Sequence, residues 1–169
     1  MSYLKIINNI FEYLCKFLVG SLLALFTMSI VAHVFLRSVF SYPLSWAQDG
    51  AVMLFIWMVF LGAPVALRYR MHFAIDLFGD KVPRLGYVLN VVCDVLVYLF
   101  LYVMIVYGVD FLKIAHSMYY SYLYIRQSYV VVAIPLSGFI MFFMNTENLI
   151  VDLRALTARS LLEDGGEVS

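Results

Sequence analysis

Charged residues are scarce in this chain of 169 residues, of which 13% are Asp, Glu, Lys or Arg and 64% are hydrophobic. Eleven basic residues balance eleven acidic ones, so the formal net charge is zero and nothing favours a nucleic-acid partner. An apolar share this large exceeds that of ordinary soluble domains. The composition therefore predicts an integral membrane protein.

Cysteine is also scarce, since only Cys15 and Cys93 are present and both fall near the start of apolar runs. Two such residues argue against a disulfide framework and against a cysteine-based metal cluster. The chain has no internal repeat, no phosphate-binding loop and no nucleophile beside a general base. We therefore expect neither enzymatic activity nor a bound cofactor.

Four apolar runs are each long enough, or nearly so, to cross a hydrocarbon core of about 30 Å. They predict an all-α integral membrane protein with transmembrane helices over residues 17–36, 50–67, 86–109 and 128–146. The first run lacks a small-residue cleavage site, so we interpret it as an uncleaved helix. Residues 1–160 then form one membrane domain, and residues 161–169 form a disordered tail.

A short amphipathic helix is predicted over residues 71–82, between the second and third spans. Apolar residues recur there at helical spacing, while His72, Asp76 and Asp80 share the opposite side. This pattern is typical of a helix that lies in the membrane interface. The i, i+4 spacing of His72 and Asp76 suits a hydrogen-bonded pair, and a metal site would need more ligands.

The basic residues are divided unevenly between the two sides of the membrane. If the N-terminus is cytoplasmic, that side holds Lys5, Lys16, Arg68, Arg70, Lys81, Arg84, Arg154 and Arg159. The other side holds Arg37, Lys113 and Arg126. The positive-inside rule therefore predicts that both termini are cytoplasmic.

Asp94 is the one charged residue inside the third span, on its predicted cytoplasmic half. A charge in the bilayer costs about 3 kcal/mol on insertion scales, so such a carboxylate needs a partner or water. Lys16, at the start of the first span, is long enough to reach towards it. Two roles remain open: an ion or proton site, and an ion pair or partner contact that stabilises packing.

At the predicted external face, Arg37 ends the first span, and Trp46, Gln48 and Asp49 lead into the second. We expect the amphipathic ring of Trp46 to lie at the membrane interface. An ion pair between Arg37 and Asp49 would tie the two helices together at one level. The competing role for this rim is to dock a protein from outside the membrane.

Two histidines raise an alternative function, because small membrane anchors can bind haem through two axial histidines. His33 lies in the outer half of the first span, and His116 follows the third span. A haem-bearing or quinone-linked anchor of a respiratory enzyme is therefore the alternative hypothesis.

Residues 37–76 resemble a known family. In order they carry Arg-Ser-Val-Phe (37–40), Leu-Ser-Trp-Ala (44–47), an apolar stretch around Trp57 (55–63), the basic pair Arg68 and Arg70, and then His72 and Asp76. This ordered set resembles the DctQ-like small membrane subunit, or Q subunit, of tripartite ATP-independent periplasmic (TRAP) transporters. The family commonly has two Glu residues where this chain has Gln48 and Asp49.

The resemblance implies a three-part importer of organic acids in a bacterial inner membrane, driven by a sodium gradient. In such a system a periplasmic binding protein captures the substrate and a large membrane subunit, the M subunit, carries it across. The small subunit then braces the large one without catalysing transport. Its basic residues near the interface would meet anionic lipid headgroups.

Overall fold

The computed structural model describes residues 2–41, 45–69 and 83–166. They form five helices: α1 (Ser2–Phe40), α2 (Ser45–Arg68), α3 (Pro83–Ala115), α4 (Ser128–Val131) and α5 (Ala133–Gly166). Four helical stretches are long and apolar enough to cross a membrane, and α4 and α5 together form the fourth. The described residues contain no β-strand. The predicted all-α class and the four spans are confirmed.

All four spanning helices are longer than the apolar runs that predicted them, and the first and fourth exceed those runs most. At 1.5 Å per residue the 39 residues of α1 extend about 58 Å, well beyond a hydrocarbon core of about 30 Å. Helix α5 continues to Gly166, well past residue 146 where the predicted fourth span ends, because no proline or glycine interrupts residues 139–164. The predicted interfacial helix over residues 71–82 lies outside the described residues.

The break between α4 and α5 follows from Pro135. Proline has no N–H, so the carbonyl of Val131 loses its normal helical donor, and the ring crowds that carbonyl. The flanking bonds persist, because the N–H of Val132 donates to Ser128 O at 3.0 Å and that of Leu136 donates to Val132 O at 3.2 Å. The interruption is therefore confined to one turn, whereas α2 continues through Pro64 without a break.

The helices pack as a row in the order α1, α2, α5, α3, rather than as a closed square bundle. Helix α1 packs mainly on α2, α2 on α5 and α5 on α3, with a smaller contact between α1 and α5. Among the described residues, every Cα atom of α3 lies more than 8 Å from every Cα atom of α1 and α2. The row leaves wide apolar faces on both sides, which in a membrane protein contact lipid or another subunit.

Helix α5 is the central element of the row. In the most apolar stretch of each span, the buried share is 50% for the fourth span, 17% for the second and third, and 0% for the first. Its Ile140 and Met144 pack against Cys15 of α1 and Leu61 of α2. Its Met141 packs with Leu67 of α2 and with Val97 and Leu101 of α3. The two cores thus meet on α5.

Two glycines let α3 and α5 approach closely. A Cβ atom on Gly138 would lie 3.0 Å from Cγ1 of Ile105, and one on Gly108 would lie 3.3 Å from Cγ2 of Ile134. Small residues at helix contacts are a common means of association in membranes, where apolar side chains gain little from leaving lipid. The same substitution at Gly62 would meet no atom within 4 Å.

Replacement of Gly138 by valine should force α3 and α5 apart. We expect Gly138→Val to destabilise the chain by about 1–3 kcal/mol through overpacking, measured as thermal unfolding in mild detergent. Gly62→Val is the matched control, because it adds the same β-branched side chain to a helix where a Cβ has open space. Equal unfolding temperatures for the two variants would contradict this account of the α3–α5 contact.

Candidate functional site

Four consecutive polar residues on α5 bind its neighbours at one end of the row. Asn145, Thr146, Glu147 and Asn148, named here the α5 polar cluster, directly follow the buried Met144. Towards α3, the side chain of Asn145 donates to the backbone carbonyl of Asp94 at 3.0 Å, and the hydroxyl of Thr146 lies 2.8 Å from that of Tyr98. Towards α2, Asn148 donates to the carbonyl of Leu67 at 3.3 Å.

Asn8 connects α1 to the same cluster. Its side chain is fully buried, and its Nδ2 donates to Oε2 of Glu147 at 2.6 Å and to the carbonyl of Phe143 at 3.3 Å. A buried amide that lost these acceptors would carry the full cost of desolvation. Asn8 therefore determines where α1 can lie along α5.

Arg68, the last residue of α2, completes this network. Its guanidinium forms an ion pair with Glu12 of α1 at 2.7 Å, lies 3.9 Å from Glu147 of α5, and donates to Asn9. The three charged side chains are between 15% and 18% exposed, so water screens them only partly. One arginine thus links three helices, and we call this end of the row the Arg68 end.

Lys16 does not extend to Asp94, so that prediction was wrong. Its ammonium donates to Glu12 and to the hydroxyl of Tyr69 at 2.6 Å, and it lies 4.7 Å from the centre of the Tyr69 ring. The physical reason is the row, which separates α1 from α3 by two helices. Asp94 itself is buried on α3, at the level where Asn145 binds its carbonyl.

The opposite end of the row, named the Arg37 end, is organised around Asp49. The chain between α3 and α4 folds back on itself, with Tyr120 N–H donating to Ile125 O at 2.9 Å and Gln127 N–H donating to Met118 O at 3.0 Å. Oδ2 of Asp49 accepts from the N–H of Tyr122 at the tip of this hairpin, at 3.0 Å. The start of α2 therefore holds the hairpin.

Burial raises the pKa of the Tyr120 phenol in this hairpin, and the negative charge of Asp49 raises it further. Both effects disfavour the phenolate, so the hydroxyl stays neutral well above neutral pH. The hairpin therefore adds no negative charge of its own beside Asp49.

The predicted ion pair between Arg37 and Asp49 is not formed, because Asp49 binds the hairpin instead. Arg37 lines a pocket of about 520 Å³ between α1 and α2, together with His33 and Gln48. Trp46 lies beside this pocket at the beginning of α2 and is 55% exposed. Gln48 is exposed as well, so the predicted rim does lie at one end of the molecule.

Trp57 connects α2 to the fourth span halfway between the two ends. Its indole Nε1 donates to the carbonyl of Tyr129 at 3.1 Å, next to the turn that Pro135 interrupts. The ring also packs against the core around Leu61 and Met144. Trp57 therefore contributes a directional bond to α4 and apolar area to the contact with α5.

The two histidines of the alternative haem hypothesis have different surroundings. His116 follows α3 and contacts Arg126 through Nε2 and Ser128 through Nδ1. His33 lies on α1 beside α2 in the pocket described above. Helices α1 and α3 do not pack on each other within the described residues. No contact between these two helices therefore brings the imidazole rings of His33 and His116 together.

Sequence reasoning missed the α5 polar cluster and Asn8. The signal was present, since four polar residues in succession interrupt a helix that is apolar on both sides. Arg70, His72 and Asp76, which the same reasoning selected, lie outside the described residues. Among the residues that are described, no group of three or more His, Cys, Asp or Glu side chains could hold a metal ion.

The family assignment rests on a match to most of the chain. A family model described as "Tripartite ATP-independent periplasmic transporters, DctQ component" matches residues 26–155, which include the whole of α2. The chain belongs to the DctQ family. It is therefore a small permease subunit of a TRAP transporter, as the sequence resemblance predicted.

Curated relatives of this DctQ-family chain carry related names. A sialic acid TRAP transporter small permease protein of Vibrio cholerae is 36% identical over 96 residues, which are 55% of this chain and 53% of the relative. A C4-dicarboxylate TRAP transporter small permease protein of the same organism is 30% identical over 76 residues, which are 45% of this chain and 31% of the relative. The matched segments thus span about half or less of these relatives' lengths.

A longer relative matches more of the DctQ-family chain. The sialic acid TRAP transporter permease protein SiaT of Haemophilus influenzae is 27% identical over 141 residues. These residues are 83% of this chain but only 22% of SiaT. In that protein, a segment similar to this chain is therefore joined to a much larger remainder.

Removal of the Asn8 side chain should loosen α1 from α5. We expect Asn8→Ala to cost about 1–2 kcal/mol in thermal unfolding, because it leaves a buried acceptor of Glu147 without its donor. Asn90→Ala is the matched control, since Asn90 makes no side-chain hydrogen bond within the described part of the chain. If the two variants unfold at the same temperature, Asn8 does not hold α1.

Proposed function

We propose that this DctQ-family chain is a non-catalytic scaffold that braces a large M subunit during sodium-driven uptake of an organic acid. The observation that carries the proposal is the arrangement of polar contacts. Hydrogen bonds and ion pairs link α1, α2, α3 and α5 at the Arg68 end and support a rigid frame. At that end, the polar side chains of Asn8, Asn145 and Asn148 are used in contacts between helices rather than left open to a substrate.

The exposed apolar faces support an intramembrane partner. A groove of about 290 Å³ between α2 and α3 is lined by Val59, Phe60, Leu96, Phe100 and Met141, among others. Large side chains along α1 are exposed as well, including Phe17, Met28 and Phe35. In the SiaT permease, a segment similar to this chain is joined to a much larger remainder. This supports a large membrane protein as the partner.

The substrate class rests on the relatives' names. Sialic acid and C4-dicarboxylates are both organic acids, and the proteins named for them are similar to this chain. We propose that a periplasmic binding protein delivers such an acid, and that the M subunit selects it. Because most Lys and Arg residues belong to the Arg68 side, we propose that the Arg37 end faces the periplasm and that both termini are cytoplasmic.

Purification of the tagged chain from its host in mild detergent tests the assembly. We expect a large multi-pass membrane protein to co-purify, identified by mass spectrometry, in a sample without a visible absorption band. A Soret band together with soluble redox subunits would overturn the proposal and favour the haem-anchor alternative.

Loss of the frame should slow uptake without changing substrate recognition. In proteoliposomes that hold the whole transporter, we expect the double variant Asn145→Ala and Asn148→Ala to lower the maximal uptake rate several-fold, because α5 loses bonds to α3 and α2. The KM for substrate and the order of preference among acids should stay as in the wild type, with Asn90→Ala as the control. A changed preference would mean that this chain contributes to the substrate site.

A further inference from the structure

The pocket between α1 and α2 has a polar wall and an apolar wall. Its volume is about 520 Å³, and Arg37, His33 and Gln48 form its polar wall at the Arg37 end. Arg37 and Gln48 are exposed, whereas Nδ1 of His33 is buried without a hydrogen-bond partner in the described chain. The open end of the pocket therefore presents a permanent positive charge and unused hydrogen-bonding groups.

The apolar wall continues from these residues into the membrane. Phe26 and Ile30 of α1 and Phe55 of α2 line it. Phe26 is eleven residues from Arg37, which corresponds to about 16 Å along the helix. This depth matches about half of a 30 Å hydrocarbon core. The pocket therefore extends from the level of lipid headgroups to the middle of the bilayer.

No carboxylate of the described chain neutralises Arg37. Asp49, the acid expected to do so, accepts from the N–H of Tyr122 instead. A guanidinium binds phosphate through parallel N–H donors, and such charge-assisted bonds are stronger than neutral ones. The charge and its position at the membrane surface are complementary to a phosphodiester.

We propose that this pocket is a binding site for one membrane phospholipid. The guanidinium of Arg37 and the amide of Gln48 donate to its phosphate oxygens, and one acyl chain lies along Phe26, Ile30 and Phe55. A free phosphate would satisfy Arg37 but leave the apolar wall without an occupant. The lipid fills the gap between α1 and α2 on the Arg37 side of their contact with α5. It is therefore part of the frame. This site does not depend on the transport role proposed above.

Lipid titration of the delipidated transporter, followed by native mass spectrometry, tests the site. The probe is palmitoyl-oleoyl phosphatidylglycerol, with palmitoyl-oleoyl glycerol as the headgroup-free comparison and inorganic phosphate as competitor. We expect Arg37→Gln to weaken lipid binding about tenfold, the loss of one charge-assisted contact. Ala51→Phe, which narrows the pocket and leaves Arg37 in place, should weaken binding to a similar extent.

Arg154→Gln is the matched control, because it removes an exposed arginine at the other end of the row. Unchanged binding in this control, together with weaker binding in both pocket variants, supports the site. Equal losses in all three variants would show non-specific attraction to basic residues and overturn it. Displacement by inorganic phosphate, equal binding of the headgroup-free lipid, or absence of lipid because the large subunit occupies the pocket would each overturn it as well.

Discussion

The hydrogen bonds that the α5 polar cluster donates and accepts are the constraint on which the rest of the fold depends. Inside a bilayer, helices gain little by exchanging lipid for another apolar surface, so packing alone orders them weakly. Asn145 and Asn148 bind backbone carbonyls of two different helices, and Glu147 binds a third through Asn8. Each bond has a direction and a length, so together they determine the level of each helix along α5.

This constraint explains why the row is open and still well connected. A closed bundle would bury most of each span, yet in the most apolar stretch of each span only the fourth is half buried and the first has no buried residue. Polar contacts at the Arg68 end, the Trp57 bond in the middle and the glycine contact between α3 and α5 replace the area that a closed core would supply. The exposed faces that result are suited to a membrane partner, as expected for a DctQ-family subunit.

The two ends of the row use their charges differently. At the Arg68 end the two basic groups of Arg68 and Lys16 offset the two carboxylates of Glu12 and Glu147, so charge is balanced within this network. At the Arg37 end Asp49 is taken up by the hairpin, so Arg37 has no acidic partner in the described chain. The first arrangement stabilises the subunit itself, and the second leaves a charge available for a molecule outside it.

Membrane class, four spans and family could be read directly from the sequence, because long apolar runs and short ordered motifs are local properties of the chain. The partners of Lys16, Arg37 and Asp49 could not, since they depend on which helices lie side by side. The apolar pattern does not specify that order, because every span is apolar on most of its surface. Only the tertiary structure placed α5 between α2 and α3, and thereby made Asn145–Asn148 the residues that join the spans.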